Sequence, residues 1–172
     1  SRSSGNRNRD CSSGVCLSIE NVDTDAGTLD IYMVNQAGCS YCTDPLYDNQ
    51  NLCESYGNDG SGDASWVFDS NMDSDACAIV NGVYFDGEVK GFQFELFGMI
   101  LSGISGGLAA EYLDFVSYNA ETSMILGSSF GSSMIPVGEG VLTQVTFFDY
   151  DGSEICIEDA VFADLDAQPI DV

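Results

Sequence analysis

Histidine is absent from this chain of 172 residues, and only four side chains, Arg2, Arg7, Arg9 and Lys90, are basic. The first absence removes the commonest general base and metal ligand and every nucleophile–base pair that needs an imidazole. The second leaves 28 acidic groups almost unopposed, and the formal charge of −24 repels nucleic acid and anionic lipid. Long apolar runs are missing too: nothing approaches the roughly 18 residues that a membrane-spanning helix needs. The chain opens Ser1-Arg2-Ser3-Ser4 instead of with Met and an apolar signal region, which reads as a processed or excised piece. Helix signals are sparse. Only Leu108 to Leu113 could wind a turn or two, after the weak start Ser105-Gly106-Gly107. Gly103-Ile104-Ser105-Gly106-Gly107 carries neither the lysine nor the helix context of a phosphate-binding loop.

What is present is cysteine, in odd number. Five of the seven, Cys11, Cys16, Cys39, Cys42 and Cys53, fall in the first third, followed by Cys77 and Cys156. Bridges persist in oxidising compartments, so the expected location is extracellular or on a cell or virion surface. An odd count leaves one cysteine free or joined to another chain. With 44% apolar and 11% aromatic residues the chain should fold despite its acidity, as one domain with its own core.

Residues 1–14 form a basic leader rich in Ser, Asn and Gly that holds Arg2, Arg7 and Arg9. It reads as a mobile linker or as an arm that docks on an acidic neighbour of the same kind. From Cys16 the period is two: Leu17 and Ile19, then Leu29, Ile31 and Met33, alternate with polar residues around the turn Asp23-Thr24-Asp25-Ala26-Gly27. Alternation resumes in Gly91-Phe92-Gln93-Phe94-Glu95-Leu96, and short apolar runs follow at even spacing to Phe162. This predicts an all-β fold, a two-sheet antiparallel sandwich of about eight or nine strands spanning 15–172. Residues 36–86 are too long for a structureless loop and read as a disulfide-bonded insertion between neighbouring strands.

In that order the segments resemble the cohesin-like β-sandwich, within the wider group that includes carbohydrate-binding modules. The likeness is carried by Ala26 to Tyr32, by Val89 to Leu96 with its G-F-x-F-x-L pattern, by Gly138 to Phe147 and by Val161 to Ile170 with its F-A-D. It covers about residues 16 to 34 and 88 to 172. The resemblance implies a noncatalytic module that holds a protein partner through one sheet face or builds secreted and surface scaffolds. The insertion departs from the family pattern.

Terminal strands often pair in a sandwich, which would bring Cys16 to Cys156. A loop of about 140 residues closed in this way removes on the order of 4 to 5 kcal/mol of unfolded-state entropy. Cys39, Cys42, Cys53 and Cys77 then make two bridges of open connectivity, and Cys11 is left unpaired or intermolecular. Zinc at Cys39-Ser40-Tyr41-Cys42 would want a second close pair or histidines, and redox chemistry would want a βαβ unit.

Two acidic stretches place oxygen atoms at every second position: Asp59, Ser61 and Asp63, then Asp69, Asn71, Asp73 and Asp75. They read either as solvated turns or as a calcium site. Ser74 and Val80 stand where a calcium loop carries its glycine and its last acid. Trp66, Tyr41, Tyr47 and Tyr56 are candidates for stacking on sugars or for packing the insertion onto the sandwich. No pair among the 28 acids stands out for glycoside cleavage, and no catalytic residue is assigned. The leading expectation is a noncatalytic extracellular module that acts on a protein partner, copies of itself in a filament, sheath, capsid decoration or scaffold. A polysaccharide-binding module is the alternative, and a glycosidase is third.

Overall fold

A computed structural model describes residues 11–170 and 172. Among these residues twelve strands build three antiparallel sheets beside three short helices, so the all-β class holds, with one sheet more than the sequence predicts.

The four-stranded sheet has the order β1 (Val15–Asp23), β2 (Thr28–Asn35), β10 (Gly138–Phe148), β7 (Ile100–Ser105). β1 and β2 form a hairpin because Asp23 Oδ1 accepts the amides of Asp25 and Ala26 while Gly27 N–H donates to the Asp23 carbonyl at 2.8 Å. Gly27 sits at φ 70°, a conformation that costs glycine little. The five-stranded sheet has the order β12 (Pro169–Ile170), β11 (Cys156–Ala163), β6 (Gly91–Phe97), β9 (Met124–Ser128), β8 (Phe115–Asn119). Glu154 to Ile157 and Val161 to Phe162, read as two apolar runs, belong largely to the single strand β11, whose register slips between Glu158 and Val161 with Asp159 at φ 51°.

One buried cluster takes side chains from both of these sheets: Leu29, Ile31 and Met33 from β2, Leu142, Val145 and Phe147 from β10, and Phe92, Phe94, Leu96, Ile125 and Phe162 from the other sheet. Within it the Phe92 ring stacks on Phe94 and Phe162, with centroids 5.8 and 5.6 Å away. β6 alternates because only one of its faces is buried, whereas in β2 Ile31, Tyr32 and Met33 are all buried.

The third sheet, β4 (Trp66–Asp69), β3 (Gly38–Cys42), β5 (Val83–Phe85), lies wholly between β2 and β6, which belong to different sheets and are not neighbours as the sequence reading had them. Two helices missing from the sequence reading flank it. α1 (Gln50–Tyr56) starts where the Asn49 side chain accepts the Leu52 amide, and α2 (Ser74–Ile79) where Asp73 accepts that of Ala76. The third helix, α3 (Gly107–Tyr112), occupies the one segment given weak helix signals. The small sheet has its own cluster of Cys42, Cys53 and Ala64, with Tyr47 and Trp66 packed against it, while Phe85 from β5 joins the main core. Among the described residues no helix is long and apolar enough to cross a membrane.

Candidate functional site

The disulfides correct the sequence reading. Cys11 bridges Cys16, Cys39 bridges Cys77 and Cys42 bridges Cys53. Cys11 is therefore not the odd one, and Cys16 does not meet Cys156. The reason is topological: Cys16 lies on β1 at an edge of the four-stranded sheet, whereas Cys156 begins β11 in the other sheet, in register with Phe97. Cys156 lies outside the three bridges and is half-buried. Cys39 and Cys42 point to opposite faces of β3, so Cys39 takes α2 on one face and Cys42 takes α1 on the other.

Of the two readings of the acidic segments, the hydrogen bonds show the turns. Among the described residues no three His, Cys, Asp or Glu side chains gather to hold a metal. Asp69 Oδ1 accepts the Asn71 amide and Asp73 Oδ1 the Ala76 amide, both at 2.8 Å, and Asp75 lies in the first turn of α2. The alternation that imitates a calcium loop is instead a turn followed by a helix N-terminus, where carboxylates satisfy amides that the helix leaves open. Asp59 stands in the turn after α1 at φ 60°, and the Ser61 hydroxyl donates to the Gly57 and Asn58 carbonyls and accepts the Asp63 amide.

Of the four aromatics proposed for sugar contact, Trp66 lines a cavity. Tyr56 is exposed on α1, Tyr47 packs into the small cluster, and Tyr41 lies on the other face of β3 from Trp66. The cavity, of about 110 Å³, runs along the seam between the small sheet and the five-stranded sheet and is lined by Trp66, Phe68, Phe85, Ser40, Asp164 and Ile170, among others. The strand register puts Trp66, Phe68, Ser40, Val83 and Phe85 on one face of the small sheet. Packing on this face is tight. A methyl group on Gly38 would collide with the Phe68 ring, and one on Gly14 would stand 2.7 Å from Phe85 Cδ2 and 3.2 Å from Ile170 Cγ2. Trp66 and Phe68 also line a second, polar hollow of about 280 Å³ with Ser12, Ser13 and Gln50. Phe68 had no signal beyond its alternation with Trp66, and Asp164 was visible only as part of F-A-D. A further polar hollow, of about 490 Å³, lies among Val22, Thr24, Tyr150, Ser153 and Glu154.

A second surface is the outer face of the five-stranded sheet. Register places Val161, Gln93, Leu126 and Ser117 in one row across β11, β6, β9 and β8, and Glu158, Glu95, Met124 and Asn119 in the next. Phe97 continues this face on β6, and exposed Phe115 meets Phe130 with ring centroids 6.2 Å apart. Phe130 is 78% exposed, although its amide is anchored by donation to Asp114 Oδ2 at 2.9 Å. That bond and the Ser129 hydroxyl hold the Asp114 carboxyl below its ordinary range. The four-stranded sheet differs, since its outer rows include Glu20, Asp30 and Gln144, then Thr28, Thr146 and Gly103. The leader arginines Arg2, Arg7 and Arg9 lie outside the described residues.

Comparison with protein-family models, with curated proteins and with solved structures finds no match to this chain.

Proposed function

We propose that this chain is a noncatalytic extracellular structural or adhesive module of cohesin-like type, a repeating subunit that docks on copies of itself in a surface filament, sheath, capsid decoration or scaffold. The observation that carries this reading is the outer face of the five-stranded sheet, where Met124, Leu126, Val161, Phe97 and the Phe115–Phe130 pair leave apolar surface in water. Such a surface is a reason to expect a partner. It also matches the resemblance, which implies contact through one sheet face. Glu95 and Glu158 stand side by side in the middle of that face, so the partner must bring positive charge. In the chain itself that charge is concentrated in Arg2, Arg7 and Arg9. Three disulfides support an oxidising location, extracellular or at a cell or virion surface.

The test is sedimentation velocity of the whole chain across concentration and ionic strength. Association that rises with concentration, weakens with salt and disappears in Leu126→Glu and in the triple Arg2/Arg7/Arg9→Ser variant supports the reading. A chain that stays monomeric at high concentration and low salt refutes self-docking. The seam cavity at Trp66 favours a second reading, a carbohydrate-binding module that uses the aromatic insertion.

A further inference from the structure

We infer that the seam between the small sheet and the β11–β12 end is a binding site for a neutral, unsulfated polysaccharide, one pyranose unit lying on Trp66 and the next reaching the polar hollow beside it. The inference rests on the carbohydrate reading and gives it a place and a ligand class.

Three features carry it. The first is a paired geometry: an aromatic hollow and a polar hollow adjoin and share Trp66 and Phe68, so a linear ligand crossing β4 meets a flat apolar ring and then hydroxyl and amide groups. A pyranose has an apolar face of C–H groups and an equator of hydroxyls, and this is the alternation the two hollows offer. The aromatic hollow, at about 110 Å³, grips part of a chain and does not engulf a small molecule.

The second feature is rigidity. β4 is hydrogen-bonded to β3, and α1 is tied to β3 through Cys42–Cys53. Ser12 and Ser13 are held by the Cys11–Cys16 bridge and by Gln36, whose side-chain amide donates to the Cys11 and Ser13 carbonyls at 2.9 and 3.1 Å. Asp164 is fixed because its Oδ1 accepts the Asp166 and Gln168 amides at 3.0 and 2.9 Å. Oδ2 takes no part in those two bonds, and Asp164 lines the aromatic hollow. Groups held in place before binding lose little freedom when the ligand arrives.

The third is charge. Among the described residues, the linings of both hollows include Asp164 and no basic side chain, in a chain of formal charge −24. Asp164 and the net charge of the chain favour a neutral polymer over a sulfated or uronic acid one.

Trp66 is the chain's one tryptophan, so its fluorescence reports from the site itself. The whole chain is titrated with soluble neutral β-glucan, mannan and galactan and with a sulfated galactan, and fluorescence is read in parallel with retardation in native gels that contain each polymer. The expected result is saturable retardation and a fluorescence change with at least one neutral polymer, and no retardation with the sulfated one. Asp164→Asn and Trp66→Ala should weaken binding at least tenfold, Trp66→Phe should restore most of it, and Tyr56→Ala, outside both hollows, should leave it unchanged; circular dichroism establishes that each variant is folded. Retardation by a neutral polymer with no fluorescence change, and equal for Trp66→Ala, would overturn this site while leaving a carbohydrate function elsewhere on the chain. No retardation by any neutral polymer would overturn the site and the carbohydrate reading together.

Discussion

Removing the two disulfides of the small sheet should melt that sheet and leave the main core standing. The β4–β3–β5 unit buries Cys42, Cys53 and Ala64 in a cluster of its own, against a main cluster that draws side chains from both larger sheets. So small a core does not offset the backbone entropy of ordering the segment from Gly38 to Phe85. The bridges supply the difference. The Cys39–Cys77 link, with a sequence separation of 38, closes a loop whose unfolded-state entropy is worth about 4 kcal/mol, and the Cys42–Cys53 link, with a separation of 11, about 3 kcal/mol. The smaller loop lies inside the larger, so the joint loss is below the sum, roughly 6 kcal/mol. The perturbation is the fourfold Cys39/Cys42/Cys53/Cys77→Ala variant, and the assay is native-state hydrogen exchange read by peptide. Amides of β3, β4 and β5 should lose protection while those of β2, β6 and β10 keep it. Opening the Cys11–Cys16 loop, with a separation of 5, should cost only about 2 kcal/mol and leave β3 to β5 protected. Unchanged protection across β3 to β5 in the fourfold variant would refute the argument that bridges hold this sheet. Loss of protection in all three sheets at once would refute its separation from the main core.

Four other outcomes follow from the same structure. Phe94→Ala, at a site with 0% exposure stacked on the Phe92 ring, should cost about 3 to 5 kcal/mol in urea unfolding, and a loss below 1 kcal/mol would contradict its place in the core. Asn35→Ala should cost roughly 2 to 4 kcal/mol in the same assay, because its buried side-chain amide donates to the Gly87 and Pro136 carbonyls at 2.6 and 2.8 Å and both would be stranded. Asp73→Ala should lose about 1 kcal/mol through the cap of α2 and Asp73→Asn almost nothing, whereas a calcium ligand at this position would make both variants fall and make the melting temperature depend on chelator. The Asp114 pKa is lowered in the folded chain by its bonds to Phe130 and Ser129, so its contribution is present above the unfolded value, near 3.8, and disappears as pH falls through the lower folded value. The Phe130 amide resonance should therefore shift in that acid range in the native chain and stay fixed in Asp114→Asn.

Much of the larger architecture was legible because it rests on period two. Phe92, Phe94 and Leu96 are buried, and Gln93 and Phe97 exposed, because a strand between a core and water has no other arrangement. What failed to read was what depends on partners distant in sequence. Cysteine pairing is set by which sheet each strand joins, and nothing in the spacing of Cys16 and Cys156 says that β1 and β11 end up in different sheets. The insertion left two readings open for a different reason. Asp and Asn serve turns, helix caps and cations through the same oxygen chemistry, so Asp69, Asn71 and Asp73 fit a calcium loop and a turn-plus-cap equally well until α2 is placed. One signal was available, since Asp73 precedes Asp75-Ala76-Cys77-Ala78-Ile79, a cap followed by helix-compatible residues. The site residues divide in the same way. Trp66 stood out by its rarity, but Asp164 reaches the same cavity from a part of the chain about a hundred residues away.

The two proposed surfaces would make opposite demands on charge, and this makes the two readings separable by experiment. Docking on the five-stranded sheet requires a partner to bring positive groups to Glu95 and Glu158, so it must weaken as salt rises. Stacking of a neutral sugar on Trp66 involves no net charge, and salt should leave it almost untouched. Leu126→Glu alters only the first surface and Trp66→Ala only the second, because Leu126 lies on the outer face of β9 and Trp66 on β4 of the small sheet. If the protein uses both, the four combinations of these variants should show independent losses, with salt-sensitive self-association in one column and salt-insensitive polymer binding in the other. A polymer-bound state that changes the self-association constant would instead mean that the two faces communicate, and the simplest route would be Phe85, which lines the seam and packs into the core beneath the sheet.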